Sequence, residues 1–145
     1  EIYNTFMAHG GPDYALEFAH GYTYSGHPVA CAAGLAALDI LVRDALPARV
    51  AEEAPFWESL FHDGVAHKPH VADARNYGFA GAITLEAHPG EPLRRPYEVA
   101  MRMWEKGFLV RYGGDTIQLA PHFVMQREQM TSLVSALSET LTELS

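Results

Sequence analysis

Apolar residues recur at helical spacing over four long stretches of this chain. The stretches run from Pro28 to about residue 46, from Ala48 to about Val65, from Tyr97 to Lys106, and from Gln126 to about Leu144. A further helical turn or two is expected around Ile2 to Met7, ahead of a Gly-Gly-Pro break at residues 10–12. Small residues along the first long stretch, Ala30, Ala33, Gly34 and Ala37, predict a buried helix that another backbone approaches closely.

Shorter stretches between these helices are rich in β-branched and aromatic residues and predict strands. Val71 to Tyr77 and Phe79 to Glu86 are joined at Gly78, and FLVRY pairs with TIQLA through the turn Gly113-Gly114-Asp115. From residue 48 the order is helix, strand, strand, helix, strand, strand, helix. This order predicts an α+β fold in which helices pack on a small, mostly antiparallel sheet.

Composition and charge narrow the class of protein. The chain has 145 residues, of which 48% are hydrophobic and 19% charged, as in soluble globular domains. The formal net charge is −8 and the arginines are scattered, which argues against a nucleic-acid or membrane surface. A single cysteine, Cys31, excludes an internal disulfide, so a reducing cytoplasm is expected, with the thiol buried in its helix. The histidine pairs His67 with His70 and His20 with His27 lack further ligands, and no metal site is expected.

A hydroxyl-rich loop precedes the helix that begins at Pro28. The first N–H groups of a helix have no partner within it and its dipole favours negative charge, so Thr23 and Ser25 stand beside a site suited to phosphate. The local chemistry leaves an alternative open. Ser25 or His27 could cap the helix, with Pro28 in its first turn.

Arg111 is the most informative single charge. It lies between Val110 and Tyr112 at the end of a predicted strand, before a glycine turn, where its guanidinium could project into a cleft and bind a carboxylate bidentately. The spacing equally allows an arginine that pairs with Asp115 or lies on the sheet surface.

The runs GYTYSGHPVACAAGLAAL and VRYGGD resemble segments of class III (fold type I) pyridoxal-phosphate-dependent aminotransferases, most closely the β-alanine or ω-amino acid:pyruvate branch. The resemblance implies that residues 1–45 are the tail of the large cofactor domain with a long connecting helix, and that residues 46–145 form the C-terminal small domain. It implies that Arg111 binds the substrate α-carboxylate. It also implies that Tyr22 and Thr23 reach the phosphate of pyridoxal phosphate from the neighbouring subunit, so that a homodimer or larger homo-oligomer shares its active sites.

The catalytic lysine of that family has no counterpart here. Aminotransfer from an ω-amino acid to pyruvate through pyridoxal and pyridoxamine phosphate needs a lysine that holds the cofactor as a Schiff base. The lysines of this chain, Lys68 and Lys106, do not match the family's motif. We therefore expect the C-terminal portion of such an enzyme, with no catalytic residue of its own and inactive alone. The alternative is a non-catalytic, self-associating interaction domain derived from the same fold.

Overall fold

A computed structural model describes residues 1–9 and 21–144 of the chain, so the expected break at residues 10–12 lies outside the described residues. Contacts divide the chain into two units, Glu1–Asp39 and Ile40–Ser145. The first unit contains helix α1, Ile2–His9, and most of α2, Pro28–Arg43. The second unit contains the end of α2 and all the remaining elements.

The second unit has three further helices and four strands. The helices are α3, Leu46–Val65, α4, Arg94–Glu105, and α5, Arg127–Thr142. The strands are β1, Val71–Tyr77, β2, Ala80–Leu85, β3, Arg111–Gly113, and β4, Thr116–Leu119. They form one antiparallel sheet in the order β1-β2-β4-β3. This α+β architecture confirms the fold class and both hairpins predicted from the sequence.

The helices of the second unit cover one face of the sheet. Ile83 of β2 pairs with Ile117 of β4, both side chains are fully buried, and Leu85 and Leu119 share their face. The apolar stripe of α5 and the aromatic pair of Trp57 and Phe61 on α3 complete the core. Because successive side chains on a strand point to opposite faces, the residues between these lie on the other side of the sheet.

The boundary between α2 and α3 explains the role of Pro47. Ala45 has a left-handed backbone, with φ of 47°, and α3 begins directly after it at Leu46. Pro47 then lies in the first turn of α3, where its missing N–H costs nothing. The pattern placed this helix start two residues later, at Ala48.

The prediction that α2 is buried is wrong for this chain. None of its residues, all of which the structure describes, is buried, and Leu35 and Val42 are 65% and 81% exposed. Cys31 is also exposed, against the expectation of a buried thiol. The apolar spacing of α2 predicts a helix, as observed, but most of its large apolar side chains are exposed.

Strand β3 is shorter than the predicted FLVRY because backbone N–H groups just before it form hydrogen bonds that end α4. Gly107 is left-handed, with φ of 87°, and its N–H donates to Trp104 O at 2.9 Å. The Phe108 N–H donates to Met103 O at 2.8 Å, which completes a Schellman motif. The Phe108 N–H is therefore used at the end of the helix and cannot pair with a neighbouring strand. The strand begins only at Arg111.

Two adjacent arginines, Arg94 and Arg95, predict a solvated surface from the sequence, and this prediction is wrong for Arg95. Arg95 is only 6% exposed, and its Nη1 donates to the carbonyl oxygens of Glu86 and Ala87 at 2.8 and 2.7 Å. These bonds fix the start of α4 to the end of β2. Arg94 is exposed as expected and pairs with Glu91 and Glu98.

Candidate functional site

Arg111 lies on the face of the sheet opposite the helices. Its Cα pairs with that of Gln118 on β4, and Tyr112, the next residue, pairs with the fully buried Ile117 on the helix-covered face. Alternation therefore places Arg111, Gln118 and Gly113 on the other face, which we call the open face. The register adds further members to the open face, which are Ala82, Thr84, Thr116, Asp73 and Arg75. All of its members remain at least partly exposed.

Arg111 differs from every other arginine and from both lysines in the bonds that its side chain makes. The remaining arginines and both lysines each have a hydrogen-bond or ion-pair partner, and these residues are Arg43, Arg49, Lys68, Arg75, Arg94, Arg95, Arg102, Lys106 and Arg127. No acceptor bonds the Arg111 guanidinium among residues 1–9 and 21–144. An exposed guanidinium with all its donors unpaired is suited to an external carboxylate.

The sequence allowed two structural alternatives for Arg111, an ion pair with Asp115 or a position on the sheet surface, and the structure supports only the second. The Asp115 carboxylate accepts from the Thr116 hydroxyl at 2.8 Å, and it does not pair with Arg111. Arg111 does lie on the sheet surface, as the other alternative allowed. Arg75 on the same face shows how a structural arginine behaves there, since its Nη1 donates to Asp73 Oδ2 at 2.5 Å and to Thr84 Oγ1 at 3.0 Å.

The loop before α2 forms a tight turn. The Ser25 N–H donates to Tyr22 O at 2.9 Å, and Ser25 Oγ accepts the Tyr22 N–H at 3.0 Å. Gly26 then takes a left-handed backbone, with φ of 74°, and the chain enters the helix at Pro28. His27 Nδ1 accepts the Ala30 N–H at 3.4 Å, so His27 caps the helix start.

Thr23 lies exposed in this turn, two residues before Ser25. Neither its hydroxyl nor its N–H has a partner within the part of the chain that the structure describes. Donors of this kind, next to a helix start, fit a phosphate group. Tyr22 and Thr23 belong to the first unit and Arg111 to the second.

Both lysines are bonded to surface groups of the second unit. Lys68 Nζ donates to Thr142 Oγ1 at 3.2 Å, and Lys106 Nζ lies 3.4 Å from a Glu139 carboxylate oxygen and 3.7 Å from one of Glu143. Neither stands on the open face. The residues present therefore fit a phosphate in the loop, but they include no lysine placed to hold a cofactor covalently.

A shallow pocket of about 590 Å³ lies at the start of α4, next to the elements that carry Arg111. Tyr97 lines it, together with Arg94 and Glu98. Arg94 hydrogen-bonds Glu98 and holds the pKa of that carboxyl below its ordinary value, so the acid is charged at neutral pH. The Tyr97 and Tyr112 rings meet edge to face, with centroids 6.1 Å apart.

The sequence analysis did not indicate Gln118 or Tyr97 as site residues. The alternation in TIQLA could have found Gln118, because it places Gln118 opposite Arg111 once the hairpin register is known. No sequence signal joins Tyr97 to Tyr112, since the contact depends on how α4 packs against β3.

The histidine pair His20 and His27, considered above as metal ligands, includes a residue outside the described part. Across residues 1–9 and 21–144, no three His, Cys, Asp or Glu side chains gather where they could hold a metal ion.

Comparison with known proteins identifies the family. The family described as aminotransferase class III matches residues 1–141. A β-alanine–pyruvate aminotransferase of Pseudomonas aeruginosa is 52% identical over 97% of this chain and 31% of its own length. An ω-amino acid–pyruvate aminotransferase of Pseudomonas putida is 49% identical over 99% of this chain and 32% of its own length. The chain thus spans about a third of the curated relatives that it matches.

Solved structures agree with the sequence comparison. An adenosylmethionine-8-amino-7-oxononanoate aminotransferase from Methanocaldococcus jannaschii has a TM-score of 0.79 at 28% identity, over 98% of this chain and 33% of its own. A PLP-bound amine transaminase from an uncultivated Pseudomonas species has a TM-score of 0.73 at 34% identity, over 86% and 29%. Within the described residues, no helix has the length and apolar character needed to cross a membrane. This chain belongs to the class III aminotransferase family.

Proposed function

We propose that this chain is the C-terminal portion of an aminotransferase that moves an amino group from an ω-amino acid or amine, such as β-alanine, to pyruvate. Support comes from the two relatives at about half identity, whose names give these substrates. Residues 1–45 would be the tail of the large domain with its connecting helix, and residues 46–145 the small domain. We also propose the cytoplasm as its location, consistent with one cysteine and no internal disulfide.

One observation carries the assignment of Arg111. Among the arginine and lysine side chains of the described chain, its guanidinium alone has no bonded partner, and it stands on the open face beside Gln118. A keto acid or amino acid presents a carboxylate that two parallel N–H donors of an arginine bind and orient. Arg111 therefore binds the substrate carboxylate and holds the reacting carbon in place.

Tyr22 and Thr23 would bind the phosphate of pyridoxal phosphate. Thr23 offers an unpaired hydroxyl and N–H in the described chain, and the turn that Ser25 closes presents them at the start of α2. When bound, pyridoxal phosphate supplies an electron sink for the carbon that loses a proton. We propose that this loop serves the neighbouring subunit of a homodimer, so that the active sites are shared.

The 145 residues alone are expected to be inactive, with no catalytic residue among them. Lys68 and Lys106 are held by Thr142, Glu139 and Glu143 on the surface of the second unit. The lysine that binds the cofactor would come from a part of the protein outside these residues. An intact mass about three times that of this chain, in protein from the natural source, would agree with the share of the relatives that the chain covers.

The decisive experiment is kinetic and uses the complete protein. We expect transamination of β-alanine with pyruvate, and a KM for pyruvate that rises about tenfold to a hundredfold in Arg111→Gln, because two hydrogen bonds to a charged group are lost. Arg75→Gln is the matched control, since Arg75 shares the open face but is bonded to Asp73 and Thr84. An equal KM for pyruvate in wild type and Arg111→Gln would refute the assignment.

A self-associating interaction domain is the second candidate, and the exposed apolar residues of α2 favour it. Val29, Leu35, Leu38 and Val42 are each more than half exposed, which is uncommon for side chains of this size on one helix. This candidate predicts association of the chain without any transamination by the complete protein. Activity that depends on Arg111 decides against it.

A further inference from the structure

The contact between Tyr97 and Tyr112 suggests how Arg111 is held in position. The two rings meet edge to face, with centroids 6.1 Å apart and planes inclined by 79°. Tyr112 directly follows Arg111, and its side chain lies on the helix-covered face while Arg111 lies on the open face. An anchor on one face of this strand therefore sets the direction of the guanidinium on the other.

Strand β3 needs such an anchor at its far end. It has only three residues, Arg111–Gly113, and Gly114 beyond it takes φ of 59° in the turn. Val110 is buried and holds the strand on the near side of Arg111. On the far side the two glycines carry no side chains, so Tyr112 is the last side chain that can fix the strand before the turn.

Tyr97 is itself rigidly placed. It lies in the first turns of α4, two residues after the buried Arg95, which bonds the carbonyl oxygens at the end of β2. Pro96, Val99 and Met103 of the same helix are buried in the core. Tyr97 and Tyr112 are 51% and 43% exposed, so both side chains are partly covered.

We propose that Tyr97 is a positioning residue for the substrate carboxylate, acting through Tyr112 on Arg111. The inference rests on the proposed function of Arg111. It adds that α4, through Tyr97, sets the orientation of the Arg111 side chain. Loss of the Tyr97 ring lets the end of β3 move and weakens the bidentate bond between Arg111 and the carboxylate. Substrates without a carboxylate do not use that bond and are unaffected.

The test uses the complete protein and two amino acceptors, pyruvate and propanal, which has the same three carbons without the carboxylate. In Tyr97→Leu we expect the KM for pyruvate to rise about three- to tenfold, the scale of one aromatic pair, with kcat changed by less than about twofold. The KM for propanal stays at the wild-type value. The Kd for propionate, which cannot react, is measured by calorimetry and rises by the same factor as the KM for pyruvate.

Two variants serve as controls. Tyr97→Phe keeps the ring and restores the wild-type KM for pyruvate. Trp104→Leu removes an aromatic side chain of the same helix that is 63% exposed and makes no ring contact among the described residues, so it leaves both KM values unchanged. A wild-type KM for pyruvate in Tyr97→Leu, or an equal rise for both acceptors, overturns the inference.

The Arg111→Gln variant separates failure of this inference from failure of the proposed function. If Arg111→Gln raises the KM for pyruvate while Tyr97→Leu does not, the role of Tyr97 is refuted and that of Arg111 stands. If neither variant changes the KM for pyruvate, the proposed role of Arg111 is refuted, and the role of Tyr97 falls with it.

Discussion

Arg111 and Gln118 are direct cross-strand partners in the hairpin of β3 and β4, and both side chains stand on the open face of the sheet. Neither side chain has a hydrogen-bond partner among the residues that the structure describes. Directly opposite residues have Cβ atoms within about 5.5 Å of each other. The guanidinium and the amide can therefore bind the same carboxylate.

The first prediction concerns Gln118. A carboxylate bound to Arg111 keeps lone pairs that accept no hydrogen bond from the guanidinium, and the Gln118 amide can donate one more hydrogen bond to it. In the complete protein we expect Gln118→Leu to raise the KM for pyruvate about tenfold, the cost of about 1.4 kcal/mol for a bond to a charged acceptor. Steady-state kinetics with pyruvate as the varied substrate measures this.

A nearly isosteric variant sharpens the same test. Gln118→Glu places a negative charge opposite Arg111, where it pairs with the guanidinium and repels the substrate. We expect a larger rise in KM than in Gln118→Leu. Wild-type kinetics in both variants would show that the carboxylate does not reach Gln118.

The sheet and its helices could be predicted because their signals are local. Helical periodicity located α3, α4 and α5, and the glycine turns at Gly78 and Gly114 fixed the two hairpins. The start of β3 could not be read from the residues, since the β-branched and aromatic run begins at Phe108. Its N–H donates to Met103 O in the Schellman motif that ends α4, so it is not available to a neighbouring strand.

The candidate site was predictable only in part. Arg111 was singled out from its strand and turn, but its lack of a partner became visible only once the bonds of every other basic residue were known. The burial of Arg95 was missed because its acceptors are backbone carbonyl oxygens at residues 86 and 87, which carry no sequence signal. The exposure of α2 was missed because apolar spacing predicts a helix face and does not tell what covers it.

The second prediction concerns Arg95. Replacing it by Met leaves the carbonyl oxygens of Glu86 and Ala87 without their charged donor and frees the start of α4. We expect Arg95→Met to lower the free energy of unfolding by about 2 kcal/mol, as for loss of hydrogen bonds from a charged group. Urea unfolding of the chain measures it.

The neighbouring arginine provides the control for Arg95. Arg94→Met loses ion pairs to Glu91 and Glu98, but these pairs are exposed, and surface pairs contribute only about 0–1 kcal/mol. If the two variants are equally stable, the buried bonds of Arg95 do not hold α4 in place.

The third prediction concerns acid stability. The Arg127 guanidinium hydrogen-bonds Glu53 and lowers the pKa of that carboxyl below its ordinary value. A lowered pKa in the folded state stabilises the fold above the ordinary pKa of a glutamate, about 4.3, and this contribution is lost as the pH falls through the folded value. Wild type should therefore have a higher melting temperature than Glu53→Gln at pH 7, and the difference should be smaller at pH 3.

Glu52 provides the matched control for Glu53. It is the preceding residue, is exposed, and has no ion-pair partner among the described residues. Glu52→Gln should show no comparable difference from wild type at either pH. A difference for Glu53→Gln that persists unchanged at pH 3 would contradict the role of the Arg127 bond.

The last prediction concerns the contact between α3 and α5. A Cβ at Gly64 would overlap Cγ1 of Val134, a buried side chain of α5. Overpacking costs about 1–3 kcal/mol, more than the gain of up to about 1 kcal/mol from replacing a helical glycine by alanine. We expect Gly64→Ala to lower the urea midpoint, and Val134→Ala to lose less stability in that background than alone. Gly34→Ala in α2, where a Cβ meets nothing within 4 Å, should leave stability unchanged or raise it, since only the helix propensity changes.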